Sequence, residues 1–413
     1  MPWLLQFCAA RAAFATMFTA WSAVLPLLRT DWQISAWQAG MVQSAYHVGF
    51  LISLFSVGFL SDRYGARRIY LLSGVAAAAS GLMFALLADG FVSALLLYGL
   101  TGLCSGGSYT PGLAIVAQQM RQRQGRALGY YLAAASLGYA VGLFIASAMI
   151  PLAGWRGAFV VTACCPLAGV ALGWRALRAV PNVVHASPGG HGGRLREVLR
   201  NKPAMLSIWG YAFHAWELLG LWAWLPAFLA AAAIAGGTGG TGGTQAVSLG
   251  ATLTALTYLV AVLGSVLGGS LSDRFGRTAM TLAMSVASLA CSFSFGWMIG
   301  LPMVLLVTVA VFYNVTGVGD SSIHSTTLTE LTDPRCLGTA YSLRSVLGFG
   351  AGAIAPWVFG LVLDWGRAGD GLPDHVVWGL AWSTLGLGGL LGPVAVWRLR
   401  RMPAAGKLAG GKR

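Results

Sequence analysis

Seven ionisable side chains sit inside long apolar stretches of this sequence: Arg11, His47, His214, Glu217, Asp320, His324 and Arg344. A charge in such surroundings is expensive, so each marks a candidate functional position. His214 and Glu217 are three residues apart and share one helix face, with Trp216, Trp222 and Trp224 around them. A carboxyl held away from water is what a proton carrier needs. The plainer reading is a carboxylate paired with a structural partner on another helix. Asp320 precedes His324 by about one turn, Thr316 and Gly317 share its face, and Tyr313 and Asn314 lie one to two turns earlier. Such a pair suits a proton relay or a cation site, or it merely satisfies itself. Arg11 and Arg344 each fall roughly two turns into a run. A buried guanidinium grips a carboxylate or phosphate with two parallel hydrogen bonds. Alternatively it snorkels to the interface, or it neutralises Glu217 or Asp320. His47 follows Tyr46, with Gln43 one turn away, and a lone histidine more often packs through a hydrogen bond than lines a site.

Positioning these groups requires membrane helices. The chain has 413 residues, 57% hydrophobic and only 9% charged, with mean hydropathy +0.71. Soluble domains carry about 25% charged residues, and so few charges cannot cover a water-exposed surface of this size. The composition excludes a soluble enzyme, a disordered chain and a coiled coil. A span needs roughly 20 apolar residues. Twelve are expected, at 4–28, 39–60, 69–88, 91–117, 128–150, 158–177, 204–232, 246–270, 278–298, 302–326, 339–363 and 376–397. The fold class is therefore an all-α polytopic membrane protein, without the short alternating segments of a transmembrane barrel. Arg11 interrupts the first run, and no basic stretch precedes it, so a retained helix is expected rather than a cleaved signal peptide. Glu330 and Asp333, near the end of span ten, are expected to be wet.

The net charge of +14 comes from short basic clusters between runs. With the N-terminus cytoplasmic, 21 Lys and Arg fall in inside loops and the C-terminal tail, against Arg29, Arg156 and Arg367 outside. That bias places both termini and the polar stretch 178–203 in the cytoplasm. The six cysteines form no Cys-x-x-Cys pair, so neither a disulfide framework nor a zinc site is expected. The halves also repeat. Gly58-Phe-Leu-Ser-Asp62-Arg63-Tyr-Gly65 matches Gly269-Ser-Leu-Ser-Asp273-Arg274-Phe-Gly276 at an offset of 211. Leu137-Gly138 and Gly142 match Leu347-Gly348 and Gly352 at 210, and Leu25-Pro26 matches Leu225-Pro226 at 200. The 11-residue glycine-rich stretch 235–245 accounts for the shift. Parallel six-helix repeats follow, as 1–177 and 204–397, with a linker at 178–203 and a tail at 398–413.

Residues 58–68, GFLSDRYGARR, resemble the signature loop of the major facilitator superfamily, Gly-x-Leu-Ala/Ser-Asp-Arg-x-Gly-Arg-Lys/Arg. The loop lies between spans two and three and its weaker copy between spans eight and nine, as in that family. Gly154-Trp155-Arg156-Gly-Ala-Phe159 also resembles a recurrent segment of it. Ala66 is a departure, where the family often has a basic residue. The resemblance implies a secondary transporter with two pseudo-symmetric bundles working by alternating access. It implies that Asp62 latches onto the N-terminus of span eleven, near residue 339, while Arg63 and Arg67 add ion pairs. Gly58, Gly65, Gly269 and Gly276 would permit a tight turn and close approach. Proton-driven exporters of the family carry an Arg-x-x-Gln-Gly segment in span four and a Gly-Pro-x-x-Gly-Gly element in span five. This chain has Tyr98-Gly-Leu-Thr101-Gly102-Leu-Cys104-Ser-Gly106-Gly107 and Gly138-Tyr-Ala-Val-Gly142 instead, which tilts the reading toward uptake.

The expectation is proton-coupled symport of a small organic solute, an anion by the two arginines, with Glu217 or Asp320 carrying the proton. The rivals are a proton-driven exporter and a divalent-metal transporter built on His214, Glu217, Asp320 and His324. No Gly-x-x-x-x-Gly-Lys-Ser/Thr loop and no catalytic triad occur, so neither ATP drive, nor a cofactor, nor enzymatic chemistry is expected. A monomer in a bacterial inner membrane, with substrate, protons and lipid as its partners and no nucleic acid, completes the expectation.

Overall fold

A computed structural model describes residues 2–120, 124–182, 191–237, 243–368 and 371–412. Among these, every regular element is helical. In chain order they are α1 (Pro2–Asp31), α2 (Ala36–Tyr64), α3 (Ala66–Leu87), α4 (Phe91–Gln119), α5 (Gln124–Ala176), α6 (His191–Arg200), α7 (Lys202–Ala235), α8 (Gly243–Phe275), α9 (Arg277–Met298), α10 (Met303–Leu331), α11 (Leu337–Arg367) and α12 (Asp374–Arg400). Eleven of these helices are long and apolar enough to cross a membrane, all but α6. Leu72, Leu86, Val92 and Leu96 are exposed on them. In water such a surface would aggregate, whereas in a bilayer it is solvated by lipid.

The count of eleven and the expected twelve describe one arrangement. α5 is 53 residues long, roughly 80 Å if straight at 1.5 Å per residue, far more than a bilayer core. It bends where Ala153 (φ −142°, ψ 15°) and Gly154 (φ 63°, ψ −166°) leave helical geometry. Its two arms are the fifth and sixth spans, joined by a corner too short to end the helix formally. Helix starts follow local chemistry. Ser35 caps α2 by accepting from the Gln38 backbone N–H, and the Gln38 side chain returns to the Ser35 N–H at 2.9 Å. α4 is broken by a 3-10 stretch, Gly106–Ser108, and resumes with Pro111 in its first turn.

Contacts divide the chain into two compact units. One is Met1–Ser187 with Leu225–Leu259, and the other is Pro188–Trp224 with Val260–Arg413. Within the first, Ser147 of α5 and Ser248 of α8 exchange hydrogen bonds with each other's carbonyls at 2.9 and 2.8 Å. The repeated small residues carry the packing in both units. A Cβ on Gly138 or Gly142 would strike the Ala12 and Thr16 carbonyls of α1, and one on Gly348 or Gly352 would strike Tyr211 and Leu219 of α7.

Two polar segments are more ordered than expected. Part of the anticipated linker 178–203 is α6, whose Val198 is buried with Ala204, Ile208, Leu328, Cys336 and Ala340. Val198 alone seats it, since Leu195 and Leu199 are exposed. Residues 183–190 of that linker, Arg121, Arg123 and residues 238–242 of the glycine-rich stretch lie outside the described residues. Much of the tail, 398–413, is also seated. Arg398 and Arg400 extend α12, and a 3-10 stretch, Pro403–Gly410, buries Ala405 and Leu408.

Candidate functional site

The second unit gathers most of the expected ionisable groups. His214 and Glu217 of α7, Asp320 and His324 of α10, and Arg344 of α11 are all buried. His214 Nδ1 stands 3.0 Å from Asp320 Oδ1, and its Nε2 is 2.7 Å from Ser321 Oγ. Asp320 Oδ2 accepts from Ser285 Oγ at 3.2 Å. Glu217 has a different shell. Its oxygens accept from Ser288 Oγ at 3.1 Å and Ser292 Oγ at 2.7 Å, and it makes no ion pair among the described residues. Ser292 is in turn hydrogen-bonded to the Tyr313 hydroxyl. A carboxyl held only by hydroxyls can take up and return a proton without breaking an ion pair. Asn314 accepts from Trp222 Nε1 at 3.1 Å and donates to the Ala310 carbonyl, so it ties α7 to α10.

The hydroxyls that meet both acids come from one face of α9, since Ser285, Ser288 and Ser292 recur at helical spacing. Sequence reasoning missed them. Small residues on an apolar helix ordinarily mean packing, and their partners lie on other helices. The i, i+3, i+7 spacing of three serines was the available signal.

Arg344 is buried, and among the described residues no carboxylate pairs with it. Its Nη1 donates to Ser325 Oγ at 2.6 Å, and its guanidinium lies 4.2 Å from the Tyr211 ring and 4.9 Å from the Tyr341 ring. His324 completes the cluster, stacked on His214 with centroids 5.8 Å apart. Arg11 in the first unit has matching surroundings. Its Nη1 meets Ser108 Oγ at 2.5 Å, and Tyr109 and Tyr131 lie 5.7 and 5.8 Å from its guanidinium. The Nε atoms of both arginines are buried without a hydrogen bond. Neither arginine neutralises Glu217 or Asp320 by an ion pair, and neither snorkels. Tyr211 stands at the repeat position of Arg11, offset by 200, so the two units present their arginines from non-equivalent helices. His47 pairs with Gln43 at 3.2 Å and sits against Phe18, while the Tyr46 ring is tilted against Tyr98 with centroids 4.8 Å apart.

The repeated loops share a backbone. Gly65 (φ 88°) and Gly276 (φ 99°) join successive helices in a conformation that costs other L-residues about 1–2 kcal/mol. Arg63 and Arg274 each lie over the next aromatic ring at 5.3 Å. Gly58 and Gly269 approach nothing closely, so tight backbone approach is not their role. Around the first loop, Asn182 donates to the Tyr64 carbonyl at 2.8 Å and accepts from the Arg68 N–H at 3.3 Å, and Arg67 donates to the Val180 carbonyl. Asp62 sits half-buried in the last turn of α2.

Around the second loop, the basic residue missing at Ala66 is present at its repeat position, Arg277. It contacts Asp273 Oδ1 at 2.5 Å and Glu330 Oε1 at 3.0 Å, and donates to Ser272 Oγ at 2.7 Å. Glu330 is exposed, as expected, and is ion-paired as well, and its Oε2 accepts from the Ala409 N–H at 2.9 Å. Asp333 is exposed as expected, and the Arg335 guanidinium holds its carboxyl below the usual carboxylate range.

Among the described residues, no three His, Cys, Asp or Glu side chains converge to hold a metal ion. Eleven long apolar helices among the described residues, one of them bent, and two matching loops define a polytopic all-α membrane protein. The sequence model of the Major Facilitator Superfamily matches residues 7–356, and the chain belongs to that superfamily. It is 25% identical over 384 residues to a probable sulfoacetate transporter of Cupriavidus necator, covering 83% of this chain and 82% of that protein. It is 23% identical over 373 residues to a hexuronate transporter of Bacillus subtilis, covering 84% of each. Its fold is that of a mutant of the nucleoside transporter NupG, with TM-score 0.77 at 14% identity over 96% of this chain and 99% of that one. A bacterial homolog of the human lysosomal transporter Spinster, in an inward-facing and unoccupied conformation, gives TM-score 0.72 at 16% identity over 96% and 94%. The chain is thus a membrane transport protein rather than an enzyme.

Proposed function

We propose that this protein is a proton-coupled symporter of small organic anions, working by alternating access in a bacterial inner membrane with both termini cytoplasmic. The observation that carries the reading is the pair of buried guanidiniums, Arg11 and Arg344, each packed on tyrosines and one serine with no carboxylate partner among the described residues. A cation buried without its counter-charge is strongly unfavourable, and an anionic substrate would supply that charge through two parallel hydrogen bonds. Two relatives are named for organic anions, sulfoacetate and hexuronate, which supports the same class. Glu217 carries the proton, because hydroxyls alone hold it, and the His214–Asp320 pair belongs to the same cluster. Protonation and substrate together leave the fewest uncompensated charges in the occluded state, so proton and anion cross as a unit. Residues 1–177 and 204–397 act as the two bundles, and Asp62 acts as the switching carboxylate of the first signature loop.

The test is ligand-induced thermal stabilisation of the purified protein. The panel holds sulfoacetate, glucuronate, neutral sugars, divalent metals and lipophilic cations at two pH values. Stabilisation by the organic anions, stronger at the lower pH and lost in Arg344→Met, is expected. Stabilisation confined to metals or to lipophilic cations would overturn the reading in favour of metal transport or export.

A further inference from the structure

The acids of the second unit are buried, yet a proton must reach them from water. A small cavity of about 10 Å³ lies beside His324, lined by Ser207 of α7, Thr278 and Thr281 of α9, Thr327 of α10, and Val396 and Leu399 of α12. That volume admits about one water molecule. Five of its seven lining side chains are polar, unusual in the interior of a membrane helix bundle. Thr327 Oγ1 is buried there without a hydrogen bond, a position a water would satisfy. At one end the cavity reaches the second signature loop. Thr278 follows Gly276 by two residues, and its hydroxyl accepts from Arg400 Nη1 at 3.2 Å. At the other end His324 is stacked on His214, which contacts Asp320. From Asp320 the serine face continues inward, with Ser285 on Asp320, Ser288 on the Ser285 carbonyl, and Ser288 and Ser292 on Glu217.

We propose that this chamber is the proton's entry to the buried acids, a water-holding antechamber at the loop end of the second unit from which a proton reaches His324 and, when that imidazole swings off the His214 ring, the Asp320 and Glu217 carboxyls. At each hop one O–H or N–H bond forms as another breaks. The net change is one proton moved from bulk water to a carboxylate, or the reverse. The charged and titratable groups facing the route are His214 and Glu217 on α7, Arg277 on α9, Asp320, His324 and Glu330 on α10, Arg344 on α11 and Arg400 on α12. Arg277 is already matched by Asp273 and Glu330, so the entrance is not a bare positive barrier. Ser207, Thr281 and Thr327 are positioning residues that hold the relay water.

The inference rests on the proton-coupled reading, and two assays on one set of proteoliposomes separate them. The first is net uptake of labelled glucuronate or sulfoacetate driven by an imposed pH gradient. The second is exchange of the same labelled anion at equal pH, which cycles the loaded carrier without releasing its proton. In the Thr281→Val/Thr327→Val double variant, net uptake is expected to fall about a hundredfold, the order by which a lost proton-transfer group slows a reaction. Exchange should stay within about twofold of the unmodified protein. Thr327→Ser, which restores a hydroxyl, should recover net uptake, and Ser207→Ala gives a milder version with less risk to folding. Net uptake and exchange falling together, or net uptake unchanged in both variants, would overturn the chamber's role while leaving the proposed function intact. Driven uptake that follows a sodium gradient would overturn it as well, making the hydroxyls cation ligands. If the unmodified protein moves neither anion with a proton, the proposed function fails and the relay fails with it.

Discussion

Replacing Glu217 by glutamine separates a structural carboxylate from a coupling one. The side chain keeps its volume and one acceptor oxygen, so either Ser288 or Ser292 retains its partner. Ser288 also donates to the Ser285 carbonyl and Ser292 is bonded to the Tyr313 hydroxyl, so neither serine is left stranded. The stability cost is then about one hydrogen bond, ~1 kcal/mol or less within a membrane bundle. The functional cost is total, because the amide carries no proton. With one carboxyl and one proton per cycle, each pH unit across the membrane is worth 1.36 kcal/mol per proton, or tenfold in accumulated monoanion. A gradient of two units should therefore concentrate the anion about a hundredfold in vesicles carrying the unmodified protein. Glu217→Gln vesicles should level off at equal concentrations while still exchanging substrate. The assay is labelled-anion uptake in proteoliposomes beside a melting curve of the same preparation. A Glu217→Gln protein that still concentrates the anion would refute the assignment. One that loses exchange together with accumulation, at unchanged melting temperature, would refute the argument that this carboxyl is held for its proton alone.

Arg344→Lys keeps the charge but loses the planar fork stacked on Tyr211, and one charge-assisted hydrogen bond is worth about 1.5–3 kcal/mol. The anion's KM should rise on the order of tenfold or more, measured in initial-rate uptake. Gly65→Ala and Gly276→Ala both place a side chain at positive φ, at about 1–2 kcal/mol each. Gly65→Ala should lower the melting temperature further, because its Cβ would fall 2.2 Å from the Asn182 side chain. Adding Asn182→Ala should recover that excess in a double-mutant cycle. Gly210→Ala puts a methyl 3.0 Å from His324 Cε1. It is expected to slow proton-driven uptake more than exchange, as the paired flux assays would show.

The elements were legible because their signals are local. Span length follows from apolar run length, the two loops repeat eight-residue patterns, and Gln43 lies one turn from His47, so their pairing was within reach. The fifth and sixth spans were correctly separated even though the helix turns a corner at Gly154 instead of stopping. The sites were half legible. His214, Glu217, Asp320 and His324 stand out because charge is rare in apolar runs, but the choice between the acids needed their neighbours, serines on α9 that look like packing residues. Arg277 and Glu330 were unreadable for a similar reason. A basic residue after a loop glycine serves topology equally well, and its carboxylate partner lies 53 positions away. The seated tail gave almost no signal, since Ala405 and Leu408 sit in a short mixed stretch of alanines, glycines and lysines with no helical period. What escaped was pairwise and long-range, whereas what was read was periodic or repeated.

The central claim is that one proton travels with each anion. It is tested most directly by recording external pH in a weakly buffered suspension of proteoliposomes carrying the unmodified protein while labelled glucuronate or sulfoacetate is added. Symport predicts alkalinisation of the medium that tracks label uptake mole for mole and is absent from protein-free vesicles. Uptake with no pH change, or with acidification, would contradict it.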